Sequence, residues 1–240
     1  MSLRSTVDGH VLHARPYRET SLLLELFTRE HGLLGAIARG VRSSRLRRDL
    51  PSARLQPFSQ SLFVLHGRGD LRTVVRVEPE VNRYDLQGRN LYCGFYLNEI
   101  VMRLLVRMDP HPRLYDAYKL CMQALVLADD VQPVLRRFER LLVEAIGYGF
   151  SWSQTVPEGS PIRTECDYRF APDCGFMTKS LSDAGPCFSG ARILDIAAGR
   201  FENPETLRVA KRIMRMALNF HLGPRPLQSR QLFARVYSVN

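Results

Sequence analysis

The sequence predicts an α+β protein: an N-terminal five-stranded OB-type β-barrel followed by a mainly α-helical domain with an irregular insert. Three observations predict it. Apolar residues alternate in short runs up to about residue 80. From residue 88 they recur at helical spacing. Between about 150 and 190, glycine and proline interrupt both patterns. The expected domains are therefore 1–84, the barrel, and 85–240, the helical domain, with an irregular or small β insert at about 150–190.

In chain order, "SLLLELFT" sets Leu22, Leu24 and Leu26 on one side and Leu23, Glu25 and Phe27 on the other. "EHG" breaks the run and "LLGAIARG" resumes it, which is a hairpin signal. "QPFSQSLFVLH" and "DLRTVVRVEPE" flank "GRG" at 67–69, a second tight hairpin. Five strands in so short a segment protect their edges best by closing into a barrel. Leu91, Phe95, Met102 and Val106 then open a helical pattern, and a second helix is expected at roughly 113–128. Pro133 suits the first turn of a third, carrying Leu135, Phe138, Leu142, Ala145 and Ile146 and ended by Gly147 and Gly149. Further helices are expected at about 190–198, 204–221 and 227–236, the middle one capped by Asn203-Pro204.

Composition narrows the function classes. The 240 residues carry 45% hydrophobic residues, enough for a packed core, and a net charge of +10. Most of the bases are arginine, which suits bidentate phosphate contacts and base stacking. Such a balance favours polyanionic partners. The longest apolar stretch, "LYCGFYLNEIVMRLLV", is broken by Asn98, Glu99 and Arg103, so a membrane span is not expected. "MSLRSTVDGH" has no apolar core of signal-peptide length. Five cysteines without a CxxC fit a reducing cytosol, with Cys93 and Cys121 as small core residues. A cytoplasmic protein is the expectation.

Charge is patterned in three places. "ARGVRSSRLRRDLP" holds Arg39, Arg42, Arg45, Arg47 and Arg48 at a spacing that fits neither one helix face nor one strand face, as in a flexible loop. It reads either as a solvated connector or as a phosphate grip. In "ETLRVAKRIMRMALNF", Arg208, Lys211, Arg212 and Arg215 fall at i, i+3, i+4 and i+7 with no acid between them. A solvated face usually mixes signs to gain i,i+4 pairs, so this stripe favours a polyanion or an acidic partner. Arg225 and Arg230 extend the basic run. In "VLRRFERLL", Arg136, Arg137 and Arg140 are expected to look outward, Arg140 pairing with Glu144. Tyr92, Phe95 and Tyr96 read as core packing rather than a groove for a partner.

Signs of catalysis are poor. The acids are scattered, whereas a metal-dependent nuclease needs carboxylates gathered around Mg²⁺. His10 and His13, three apart on a strand, are expected to face opposite ways. Cys166, Cys174 and Cys187 lack a zinc-finger spacing, and there is neither a P-loop nor a dinucleotide fingerprint. No metal or cofactor is expected. A metal-dependent DNA-processing nuclease remains the alternative reading, and a transcriptional regulator would need a helix-turn-helix that the sequence does not display.

Taken in order, "RPYRETSLLLELFTREHG", "ARGVRSS", "LQPF", "GRGDL", "LYCGFYLNEI", "LRRFERLLVEAIGYG", "PETLRVAKRIMRMALNFHLG" and "PLQSRQLF" resemble the bacterial RecO family over nearly the whole chain, from about residue 10 to 235. The resemblance implies an OB barrel, a helical domain and a nucleoid-associated recombination mediator of the RecF pathway. It implies binding of single- and double-stranded DNA, annealing of complementary strands and, with RecR, loading of RecA onto DNA coated by single-strand-binding protein (SSB). The acidic SSB tail would dock by Arg136 and Arg137. The DNA-binding residues expected here are Arg15, Arg39, Arg42, Arg45, Arg47, Arg48, Arg208, Lys211, Arg212, Arg215 and Arg225. The cysteine zinc module of some members has no counterpart, so the chain is similar to the zinc-free branch.

Overall fold

A computed structural model describes residues 4–42, 50–147, 150–180 and 185–237. Five strands close a barrel: β1 (Arg4–Tyr17), β2 (Ser21–Thr28), β3 (Gly32–Ala38), β4 (Ser59–His66) and β5 (Leu71–Arg83), in the order β1-β2-β3-β5-β4. All neighbours are antiparallel except β3 and β5. Closure follows from the alternating pattern. Leu22, Leu24 and Leu26 point inward with Val7, Val11, Leu34, Phe63, Leu65, Val74 and Val77. Leu50, together with Leu55 of a 3₁₀ turn (Ser52–Leu55), fills the same core.

The barrel's outer wall carries helices. The chain divides into two compact units, and the first joins the barrel to α1 (Gly88–Leu104), α2 (Pro112–Leu127) and α6 (Gln228–Tyr237). Asn98 on α1 donates to the Leu12 carbonyl at 2.8 Å and accepts from the Tyr118 hydroxyl on α2. Glu99 caps α6: its carboxylate accepts from the Gln228 and Ser229 amides and the Ser229 hydroxyl at 2.6–2.9 Å. A carboxylate suits the positive end of a helix. The expected seam of α1 is corrected. Its buried residues are Cys93, Gly94, Tyr96, Leu97, Asn98, Ile100 and Val101, because α1 packs on β1, α2 and α6 and so buries a wide arc. Leu105 turns extended, and Val106 beyond it is exposed.

The second unit, Asp129–Arg225, contains α3 (Gln132–Ala145), a small sheet, α4 (Gly190–Ala197) and α5 (Pro204–Leu222). The sheet has β6 (Asp167–Ala171) at its centre between β7 (Gly175–Thr178) and β8 (Cys187–Ser189). It realises the small β alternative for the insert. Phe150, Trp152, Phe170 and Phe176 form its aromatic core, with ring centroids 4.6–5.7 Å apart. Among the described residues, no helix is long and apolar enough to cross a membrane.

Candidate nucleic-acid interface

Helix α5 is oriented by polar contacts at its start. Asn203 accepts from the Glu205 amide at 2.8 Å, the N-cap bond expected from Asn203-Pro204. Arg192 on α4 bonds both Asp195 and Thr206, and Asp195 also binds Arg200 at 2.8 Å. Thr206, Ala210, Ile213, Met214, Ala217 and Leu218 are buried, and α5 packs on α3 and α4. That burial turns Arg208, Lys211, Arg212 and Arg215 outward, and all four are exposed. Arg212 lies over the Phe188 ring of β8, 5.9 Å from its centroid. Past the helix end at Gly223, Arg225 is exposed too.

A second group sits at one end of the barrel. Arg15 pairs across β1–β2 with Leu23, which pairs in turn with Ile37 of β3, so Arg15 occupies the outer wall. The Arg42 amide donates to the Thr20 carbonyl at 2.9 Å, tying the segment after β3 to the β1–β2 turn. Arg15, Arg39 and Arg42 are all exposed. Arg45, Arg47 and Arg48 lie outside the described residues.

The third group departs from expectation. Arg136 does not look outward. It is 6% exposed and bonds Glu139, itself 1% exposed, at 2.5 Å. Positions three apart share a helix face, and that face is turned to the core through Leu135, Phe138 and Leu142. The buried cation then needs an equally buried partner. Arg137 is exposed and lies over the Phe201 ring at 5.6 Å. Arg140 pairs with Glu144 at 3.2 Å, as expected.

Comparison with known proteins matches this arrangement to one family over both halves. The model of the recombination protein O N-terminal region covers residues 1–82, and that of the C-terminal region covers residues 86–231. The chain belongs to the RecO family. It is similar to proteins named DNA repair protein RecO in three bacteria. In Halorhodospira halophila the identity is 41%, over 93% of this chain and 94% of the relative. In Azoarcus it is 38% over the full length of both. In Pseudoalteromonas atlantica it is 37%, over 96% of this chain and 95% of the relative.

In this RecO-family chain two residues escaped the sequence reading. Tyr17 ends β1 and Arg18 begins the β1–β2 connection, with the Arg18 guanidinium 5.3 Å from the centre of the Tyr17 ring. The signal was the arginine–aromatic–arginine run "RPYR". Arg18 takes a positive φ of 52°, which few non-glycine residues adopt. The histidine expectation is also corrected. A bulge between Val11 and His13 adds a residue, so His10, paired with Phe27, and His13, paired with Glu25, share the outer wall. His13 is exposed and His10 is fully buried. The Tyr84, Tyr115 and Tyr118 rings surround His10 at 4.9–5.9 Å. Burial, aided by Lys119, lowers its pKa from 6.5 to about 3. Tyr92, Phe95 and Tyr96 serve packing: Phe95 on Phe58, Tyr92 on Phe233, Tyr96 under Arg230. Cys93 and Cys121 are buried, Cys166 and Cys187 half-buried, and Cys174 is exposed. Among the described residues, no three His, Cys, Asp or Glu side chains converge as metal ligands would.

Proposed function

We propose that this RecO-family chain is a non-enzymatic recombination mediator of the RecF pathway. It binds single- and double-stranded DNA and anneals complementary strands. With RecR, it helps load RecA onto SSB-coated DNA at the cytoplasmic nucleoid. The observation that carries the DNA-binding part is the exposed face of α5, where Arg208, Lys211, Arg212 and Arg215 stand together and no acid interrupts them. Cations at this density neutralise phosphates without reading sequence. Held near such a surface, two complementary strands repel each other less and pair more readily. Arg15, Arg39 and Arg42, with Arg45, Arg47 and Arg48 of the same segment, supply a second grip at the barrel, and Arg225 extends the first.

For the acidic SSB tail, Arg137 is the better cation of the expected pair. It is exposed, whereas Arg136 is buried and committed to Glu139. An acidic tail asks for a cation that it can reach from solvent.

The test is a strand-annealing assay with purified protein and complementary oligonucleotides, in Mg²⁺ and without ATP. Annealing without cleavage is the expected result, and cleavage would favour the nuclease. If about five phosphates are neutralised, log K for single strands falls with a slope of about −3.5 against log salt. A salt-insensitive affinity would overturn the phosphate reading.

A further inference from the structure

We propose that Phe220 is a base-stacking platform through which the α5 surface prefers single-stranded to duplex DNA. The inference rests on the DNA-binding reading of α5 and adds a specificity that phosphate contacts cannot supply.

The chain has 12 phenylalanines, and Phe220 is the exposed one: 55% of it faces solvent, while the other eleven are buried or half-buried. A single exposed apolar side chain is ordinary on a protein surface. The position of this one gives it meaning. Helical geometry of about 100° per residue sets Phe220 roughly 80° around the helix from Arg212. It is in line with half-buried Met216, four residues earlier, and half-buried Val209. An apolar strip ending in an open aromatic ring therefore borders the basic stripe along its length. From Arg208 to Phe220 the helix rises about 18 Å, the span of roughly five stacked nucleotides. His221 meets the Phe220 ring at 85° with centroids 5.1 Å apart, which restrains the ring while more than half of it stays open.

A strand that laid its phosphates along Arg208, Arg212 and Arg215 could turn its bases toward this strip. Each base presents a π-face that stacks on an aromatic side chain whatever its identity. In a duplex those faces already stack on one another, and exposing one costs energy. The cations thus hold both forms, and the ring rewards only the unpaired one. The same chemistry argues against an aromatic peptide side chain as the occupant of this strip. Such a side chain is held by a concave pocket, and Phe220 is an open ring on a helix surface.

The experiment compares full-length wild type, Phe220→Ala, Phe220→Trp and the pair Arg208→Ala/Arg215→Ala. Fluorescence anisotropy at fixed salt is read with labelled oligo-dT of about 15 nucleotides and with a mixed-sequence duplex of equal length. Phe220→Ala is expected to weaken oligo-dT binding by roughly 5- to 100-fold, with duplex affinity held within about 2-fold. Phe220→Trp is expected to restore it. The arginine pair is expected to weaken both. Unchanged oligo-dT binding by Phe220→Ala, or equal losses for both DNAs, would overturn the stacking role even where the arginine pair reduces binding. An arginine pair without effect on either DNA would remove α5 from DNA binding altogether, and the stacking role with it. Melting temperatures of the variants are expected to match wild type, because the substituted side chains are exposed; a drop for Phe220→Ala would mark the ring as structural and overturn the proposal.

Discussion

Individual residues show where chemistry and packing compete. His10 is kept neutral by a cage of three tyrosine rings, with Lys119 adding to the effect. Its pKa falls from 6.5 to about 3 on folding. Below pH 6.5 the unfolded chain takes up a proton that the folded chain refuses until about pH 3, so stability falls as pH drops through that window. About 2 kcal/mol of the fall is expected between pH 7 and pH 5. Urea denaturation at the two pH values is expected to show this difference in wild type and to show it reduced by that amount in His10→Phe. The Arg136–Glu139 pair makes a second prediction. Arg136→Glu removes the cation bonded to Glu139 and sets a second carboxyl beside it in one buried space, at a cost of roughly 3–5 kcal/mol. Its thermal melt is expected to shift sharply downward. Arg137→Glu is expected to fold like wild type while binding an SSB-tail peptide less well. Nothing in "LRRFERLL" distinguishes these neighbours by type. Their roles differ because successive helix positions are about 100° apart, and the exact arc that is buried depends on partners remote in sequence.

At the scale of elements, much was legible because period and punctuation coincide. The four barrel strands β2–β5 and the six helices match their expected places to within a few residues, while the sequence pattern sets no bounds for β1; the Asn203 cap is made as the sequence implied. Two failures have a common origin. The α1 seam was read as one stripe, but a helix packed on three sides has no single stripe to find. The two histidines were separated by strict alternation, which one bulged residue reverses. The N-terminal capping of α6 was invisible for a different reason: Glu99 and Ser229 lie far apart in sequence and meet only when α6 docks on α1. Glu99→Ala leaves the Gln228 and Ser229 amides without their carboxylate. Faster hydrogen exchange across residues 228–237 is the expected result, with the barrel strands protected as before. Uniform loss of protection across the barrel would mean instead that the cap supports the whole unit.

The whole molecule follows a division that sequence periodicity does not mark. The change from strand to helix at residues 84–88 ends the barrel, and the family models divide near the same place. The compact units divide elsewhere, at Ala128–Asp129 and again at Arg225–Pro226, because α1 packs on β1 and α6 packs on α1. Hydrophobic patterning reports that a helix has an apolar face, and is silent about which neighbour covers it. The basic surface was legible in the same limited sense: the α5 stripe was plain in the spacing, while the contact of Arg18 with the Tyr17 ring was not. The return of α6 bears on how the chain matures. On a ribosome, the barrel with α1 and α2 emerges first but lacks α6, and about 100 residues are made before that helix arrives. Asp129–Arg225, being continuous, can fold in the interval, and its collapse shortens the loop that α6 must close. The first unit to begin is thus the last to have all its parts, and until α6 is made the side of α1 that holds Glu99, Tyr92 and Tyr96 lacks the helix that covers it.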